Sequence, residues 1–335
     1  MRRISTVILM GILFLGIGAC NAAKVEQASE QCDRQCLEGF VNQYLDAMVA
    51  HDASKAPFSD TVKFTENAQT LPVANAQEGL WATVTDLGDY KFYVADPQAG
   101  QVAFVGLAKE GEKTALLSMR LKIESKKIAE VESVVVRNMN ENNLWTLKTP
   151  PAEFSRALPP EERVSREELV RISSVYFDGI EQLTGKIVPW HDECYRLENG
   201  MWTAGKKLPP ELAANMPEPG SAPKQPGPGA SPAFSRGACT EAFDSGVFAL
   251  IENIQPRRTP VVDEERGVTW GVYMFNHPGV ETVKMPDGST QRAAYFVGQP
   301  NSMPMSELFK IRGGKIRDIM AIGVVNKYKS GSGWE

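Results

Sequence analysis

The sequence predicts an α+β chain of two tandem domains, each an N-terminal long helix followed by short helices and a bent antiparallel sheet. Three observations carry this. Apolar residues first recur at helical spacing and then alternate along strand-like runs. The same order returns in the second half at constant residue offsets. A proline-bearing stretch with neither period divides the halves. The 335 residues suffice for two cores, and 42% hydrophobic with 23% charged content is that of a globular protein.

Residues 1–19 stand outside this fold. Arg2 and Arg3 precede an apolar run over residues 7–17, too short for a spanning helix, which ends Ile17-Gly18-Ala19-Cys20. That ending resembles the lipobox of bacterial lipoproteins, which implies cleavage before Cys20, a lipid on that cysteine, and a cell-envelope protein facing the periplasm. Asn21 is not the aspartate that commonly retains such proteins at the inner membrane in enterobacteria, so the outer membrane is the expected anchor. Residues 20–34 form a tether. The remaining Cys32, Cys36, Cys194 and Cys239 are an even set suited to an oxidising compartment. Of three possible pairings the sequence favours Cys32 with Cys36, four apart on a helix, and Cys194 with Cys239 in the second half.

The first domain spans residues 35–137. Leu37, Phe40, Val41, Tyr44, Leu45 and Met48 form one helical stripe, a short helix follows at residues 80–86, and residues 91–94, 101–108, 114–124 and 128–136 read as strands. Gly100 and Gly111 supply turns, and Ser125-Lys126-Lys127 a tight hairpin. Residues 138–164 carry Pro150-Pro151 and Pro159-Pro160 and read as the interdomain linker. Ser165-Arg166-Glu167-Glu168 fits a capping box opening the second long helix, whose buried stripe includes Leu169, Ile172, Tyr176 and Ile180.

The second domain, residues 165–328, repeats the first. At offset 132 the pairs Tyr44/Tyr176, Asp46/Asp178, Pro57/Pro189, Asp60/Asp192, Glu66/Glu198 and Asn67/Asn199 are identical. At offset 167 Gly79/Gly246, Val94/Val261, Asp96/Asp263 and Gly100/Gly267 match, and at offset 188 Lys122-Ile123 meets Lys310-Ile311. The changes of offset place insertions of 35 and 21 residues in the second copy, the first holding a proline-rich loop over residues 205–236. Residues 329–335 are a tail. The shared stretches at residues 57–67 and 189–199 read as the turn that leaves the long helix.

This order of elements resembles the cone-shaped fold of nuclear transport factor 2 and the SnoaL-like proteins, over residues 35–137 and 165–328. Val261-Val262-Asp263-Glu264-Glu265-Arg266-Gly267, the run Glu307-Leu308-Phe309-Lys310-Ile311-Arg312-Gly313-Gly314-Lys315-Ile316, and the ending Gly333-Trp334 also resemble an uncharacterised SnoaL-like domain family. The wider superfamily includes ketosteroid isomerase, scytalone dehydratase, polyketide cyclases, limonene epoxide hydrolase and aryl-propane lyases. None of their catalytic motifs transfers residue by residue, so the resemblance implies a pocket type and no mechanism.

Residues shared by both copies serve the fold; those that differ are the candidates for function. At the equivalents of Ser59, Phe64, Glu110 and Met119 the second copy has His191, Arg196, His277 and Glu307. Strand alternation places Glu307 on the apolar face of Phe309 and Ile311, opposite Trp270, where desolvation suits a carboxyl to acid or base work; the alternative is a glutamate satisfied by Arg317 or backbone. His277 and His191 are its candidate partners in proton transfer. His277 could equally be a loop-mouth histidine, and Asp192 a helix cap or turn residue. Arg196 and Arg266 could orient a substrate or simply pair with Glu198 and Asp263, and Trp270, Asp192 and Tyr176 complete the expected substrate-binding set.

A net charge of −5 without a basic cluster excludes nucleic acid as the expected partner. With no CxxC and three histidines, no metal site is expected. No GxSxG, P-loop or dinucleotide fingerprint occurs, so serine-hydrolase and nucleotide chemistry are set aside and the expected chemistry is cofactor-free. The leading expectation is a small hydrophobic or aromatic molecule held in the second domain, with or without isomerase-, dehydratase- or lyase-type proton transfer. The rival is a non-catalytic envelope module whose sheet faces associate, either as a homodimer, with a partner, or between the chain's own two domains.

Overall fold

The computed structural model describes residues 32–72, 78–217 and 237–335. The expected signal segment, Cys20 and most of the proline-rich loop lie outside the described residues. Among those described, no helix is long and apolar enough to cross a membrane.

Helix α1, Arg34–Val49, starts where the Asp33 side chain accepts from Cys36 N at 2.9 Å, and it buries the stripe from Leu37 to Met48 that the sequence marks. A disulfide joins Cys32 to Cys36 at its first turn. It packs on a six-stranded sheet of β1 (Phe58–Glu66), β2 (Gln69–Thr70), β3 (Asp86–Asp96), β4 (Gln101–Glu110), β5 (Lys113–Glu124) and β6 (Lys127–Val136), ordered β2-β1-β6-β5-β4-β3. Helix α2, Arg166–Glu181, repeats the arrangement. Its sheet contains β7 (Trp190–Glu198), β8 (Met201–Ala204), β9 (Asn253–Asp263) and β10 (Val268–His277), followed after a small hairpin of β11 (Thr282–Lys284) and β12 (Thr290–Arg292) by β13 (Asn301–Arg312) and β14 (Lys315–Gly323), ordered β8-β7-β14-β13-β10-β9. The capping box at Ser165 is half formed: its hydroxyl accepts from Glu168 N at 3.3 Å, while the Glu168 carboxylate turns to Arg171.

Two sequence expectations need correction. Residues 57–67 and 189–199 are strands β1 and β7, not turns, and each runs parallel to the last long strand of its sheet, so neither sheet is purely antiparallel. Each pairing carries an irregularity in register, between Phe58 and Lys63 and between Ile316 and Asp318, which breaks the alternation that would have revealed a strand. Only the ends behave as turns. Asn67 and Asn199 sit at φ 51° and 46°, and each bridges its sheet through both ends of its amide, Asn67 to Val135 and Asn199 to Gly323. These are the same position in the two copies doing the same structural job.

The linker is also more ordered than its composition suggests. It forms short helical turns at Glu141–Leu147, Ala152–Ser155 and Pro160–Glu162 and buries Leu147, Phe154 and Leu158. Phe154 stacks on Phe92 of the first sheet with centroids 5.2 Å apart. The fully buried Lys310 of the second sheet donates to the carbonyls of Arg156 and Arg266 at 2.9 and 2.6 Å, pinning this strap in place.

The domains meet through the outer faces of their sheets. Val94, Val105, Leu116 and Val134 pack with Val261, Val268, Leu308 and Met320 in one shared apolar layer. At its centre Ser118 Oγ lies 2.7 Å from Ser306 Oγ, and Trp270 Nε1 donates to Ser118 at 2.9 Å. At the edge Arg34 makes two hydrogen bonds to Asp263, at 2.6 and 2.9 Å, and Arg166 makes two to Asp96, at 3.0 and 2.6 Å. Arg34 and Arg166 are equivalent at offset 132, as are Asp96 and Asp263 at 167 and Ser118 and Ser306 at 188. The interface is therefore isologous in the sense of a two-fold dimer, with both halves on one chain. The tail completes it: Trp334 Nε1 donates to Thr65 Oγ1 at 2.9 Å, and Lys63 Nζ stands 4.1 Å from the indole centroid.

Candidate ligand cavity

The inner face of the second sheet carries the two exchanges that the repeat exposes. Arg196 of β7 replaces Phe64, Glu307 of β13 replaces Met119, and the two meet: Arg196 Nη2 stands 4.0 Å from Glu307 Oε1. Glu307 faces Gly271 across β10, not Trp270, which is one residue out of register and points into the domain interface. Gly271 stands where the first copy has Phe104, and a Cβ there would collide with the Tyr273 hydroxyl and the Arg258 carbonyl. Its missing side chain lets Tyr273 cross the strand.

Glu307 is fully buried and neither carboxylate oxygen has a hydrogen-bond partner. Burial pushes its carboxyl up to about 7, with Arg196 opposing the shift and Glu198 adding to it. Burial also opposes the charge on Arg196, but Tyr176, Glu198 and Glu307 around it outweigh that and hold the guanidinium protonated. Arg196 Nη1 donates to Glu198 at 2.6 Å and to Thr203 at 3.0 Å. Tyr176, buried on α2, and Arg196 line a gap of about 10 Å³, room for a single water, closed by Trp190, Phe243 and the Cys194–Cys239 disulfide segment.

On the other side of Arg196 opens a cavity of about 360 Å³. Ile180, Phe248, Phe275, Met303 and Met305 give it apolar walls, and Arg196, Glu198 and His277 its charged or titratable groups. Tyr295 and Phe296, from the 21-residue insertion between β10 and β13, flank His277, with the Phe296 ring 5.0 Å away. His277 is 2% exposed, its Nδ1 lies 3.1 Å from Asn301 Oδ1, and burial pushes its imidazole down to about 4 against the pull of that hydrogen bond.

The first domain shows why this space exists. There Arg137 reaches between Glu66 and Glu110 and makes an ion pair with each, while Glu66 also accepts from Leu80 N at 2.8 Å. Their equivalents are Val325, Glu198 and His277. With valine in place of arginine no described residue fills the mouth, and Glu198 turns to Arg196.

The expected catalytic trio does not assemble. His277 pairs with Asn301 at one end of β13, six residues from Glu307, or roughly 20 Å at the rise of a strand. His191 lies beyond the opposite end, in an open polar depression with Glu162, Asp192, Glu193 and Arg312, and its Nδ1 accepts from Glu193 N at 3.1 Å. Burial lowers the His191 imidazole. Asp192 is exposed there. Arg266 Nη1 reaches the Tyr93 carbonyl of the first domain at 3.4 Å, and Trp270 is in the interface, so neither lines the cavity. Of the expected binding residues Arg196 lines it and Tyr176 lies just behind. Tyr295, Phe296 and the methionines give no signal in the sequence, and Glu198, identical in both copies, reads first as part of the shared turn and only second as a pocket acid; the insertion that supplies the two aromatics is visible in the offsets, but its fold-back is not. Among the described residues no cluster of His, Cys, Asp or Glu could hold a metal ion.

Among the described residues, fold and cavity define a tandem α+β protein whose second copy has an open, mainly apolar chamber where Arg137 closes the first. The chain belongs to the family defined by a domain of unknown function (DUF8021), which it matches over residues 30–135 and 162–323. No curated protein matches it.

Proposed function

We propose that the second domain is a binding module for a small, mainly apolar molecule, with the first domain as its structural support. The observation that carries this is the replacement of the Arg137 plug by Val325, which leaves a 360 Å³ chamber with apolar walls. That volume falls in the range of ligand sites. Concerted proton transfer by Glu307, His277 and His191 is not part of the proposal, because the three stand apart along the sheet. Nor is a partner docked on the sheet faces, since the two faces bury each other. The chain is further proposed to work in an oxidising envelope compartment, anchored through Cys20; two disulfides support the compartment.

The test rebuilds the plug. Val325→Arg sets a guanidinium beside Glu198 and should abolish binding of a neutral fluorescent probe such as N-phenyl-1-naphthylamine while leaving the melting temperature within a few degrees. Undiminished probe binding by the folded variant would remove the cavity as the site.

A further inference from the structure

The polar lining of the cavity is one-sided. His277 Nδ1 faces Asn301 Oδ1, and the Asn301 amide is oriented by its own Nδ2 donating to Gln299 O at 2.9 Å, so Nδ1 carries the proton. The other ring nitrogen, Nε2, is then an acceptor, and it has no hydrogen-bond partner among the described residues. Glu198 is a second acceptor, a quarter exposed. Of the donors nearby, Arg196 Nη1 bonds Glu198 and Thr203, Arg196 Nη2 is turned toward Glu307 at 4.0 Å, Arg196 Nε has no partner but is sealed from solvent, and Asn199 bonds Gly323 through both ends of its amide.

Charge narrows the choice further. Arg196 and Glu198 neutralise each other at 2.6 Å, so the charged side chains lining the cavity sum to zero. An anionic ligand would meet the Glu198 carboxylate, and an ammonium would add a cation where the one partly exposed carboxylate is already paired, each at a desolvation cost. An uncharged hydroxyl meets both acceptors without either penalty. Size sets the rest: an apolar cavity of ~150 Å³ takes one benzene ring, so about 360 Å³ accommodates two fused rings.

Resting on the binding reading above, we infer that the ligand is an uncharged alcohol or phenol on a framework of about two rings, its hydroxyl donating to His277 Nε2 or the Glu198 carboxylate. The experiment titrates the whole chain with naphthalene, 2-naphthol, 2-naphthoate and 2-naphthylmethylammonium, followed by calorimetry. The expected order has 2-naphthol tightest, about tenfold over naphthalene as one hydrogen bond allows, and both ions weaker than naphthalene. In His277→Phe the advantage of naphthol over naphthalene should shrink severalfold while naphthalene itself still binds, which also reports that the cavity survives. His277→Gln, which keeps an acceptor, should retain the advantage. Tightest binding of either ion, or a naphthol advantage unchanged in both His277→Phe and Glu198→Gln, overturns the inference and leaves the cavity reading intact. Failure of all four to bind overturns the cavity reading and this inference with it.

Discussion

Ser118 and Ser306 share a hydrogen bond of 2.7 Å across the domain interface, and they are the same residue of the two copies. A residue that touches its own equivalent lies on a two-fold axis, here a pseudo-axis within one chain. The environment around it is not symmetric, because Trp270 Nε1 donates to Ser118 alone. Ser118→Ala should therefore cost about 1–2 kcal/mol by leaving a buried indole N–H unpaired, and Ser306→Ala less than half of that. Urea unfolding of the two variants checks it; equal losses would contradict the described geometry.

The reciprocal ion pairs make the opposite prediction. Arg34 with Asp263 and Arg166 with Asp96 are equivalent contacts, each arginine about a quarter exposed and each aspartate about 1%. Arg34→Met and Arg166→Met should each lose roughly 2–3 kcal/mol, since each leaves a buried carboxylate short of its cation. Both should still unfold in one transition, measured by fluorescence and circular dichroism together.

Glu307 gives the core of the second domain a pH signature. Burial holds it protonated up to about pH 7, whereas the unfolded side chain ionises near 4.5. Between those values the native form binds the extra proton, so the contribution is fully present below pH 4.5 and is lost as pH rises through 7. Glu307→Gln cannot ionise and should gain roughly 2–3 kcal/mol relative to the parent between pH 5 and 8. Paired denaturant titrations at the two pH values read this directly. A difference that does not change with pH would mean the carboxyl is solvated.

The Cys194–Cys239 bond closes a loop of sequence separation 45 and ties the segment covering α2 to β7. Cys239→Ala should cost about 2–4 kcal/mol through the unfolded chain. Its removal also loosens the wall shared with Arg196, so probe affinity should fall along with the denaturation midpoint. A variant with unaltered stability would show that the bond constrains nothing.

Much of this molecule was legible in its sequence, and the reasons differ by element. The long helices and central strands show because one face of each is apolar at a clean period, as with Leu37 through Met48. Cys194 and Cys239 could be paired because the repeat assigned both to one domain. Arg196 and Glu307 stood out because their counterparts, Phe64 and Met119, are core residues; that the two charges touch was not foreseen, since β7 had been read as a turn. Its charged first half and broken register hide the period. The roles of Asp96 and Asp263 were equally hidden: identity between copies marked them as important to the fold, but nothing local says that each reaches across to the other copy's helix. The mouth depends on Arg137 and Val325, which lie at a strand end where no period operates, and only superposition of the copies gives the exchange meaning.

Because both halves of the interface belong to one chain, dilution cannot separate them. A homodimer of such domains would lose its apolar sheet face to water at low concentration, whereas here the partner is present at a fixed, high effective concentration. In the first domain the same mouth is closed by Arg137. The second can then carry an arginine, a buried acid and an open chamber in what would otherwise be hydrocarbon. Joining the two copies in one chain keeps the shared apolar layer covered at any concentration.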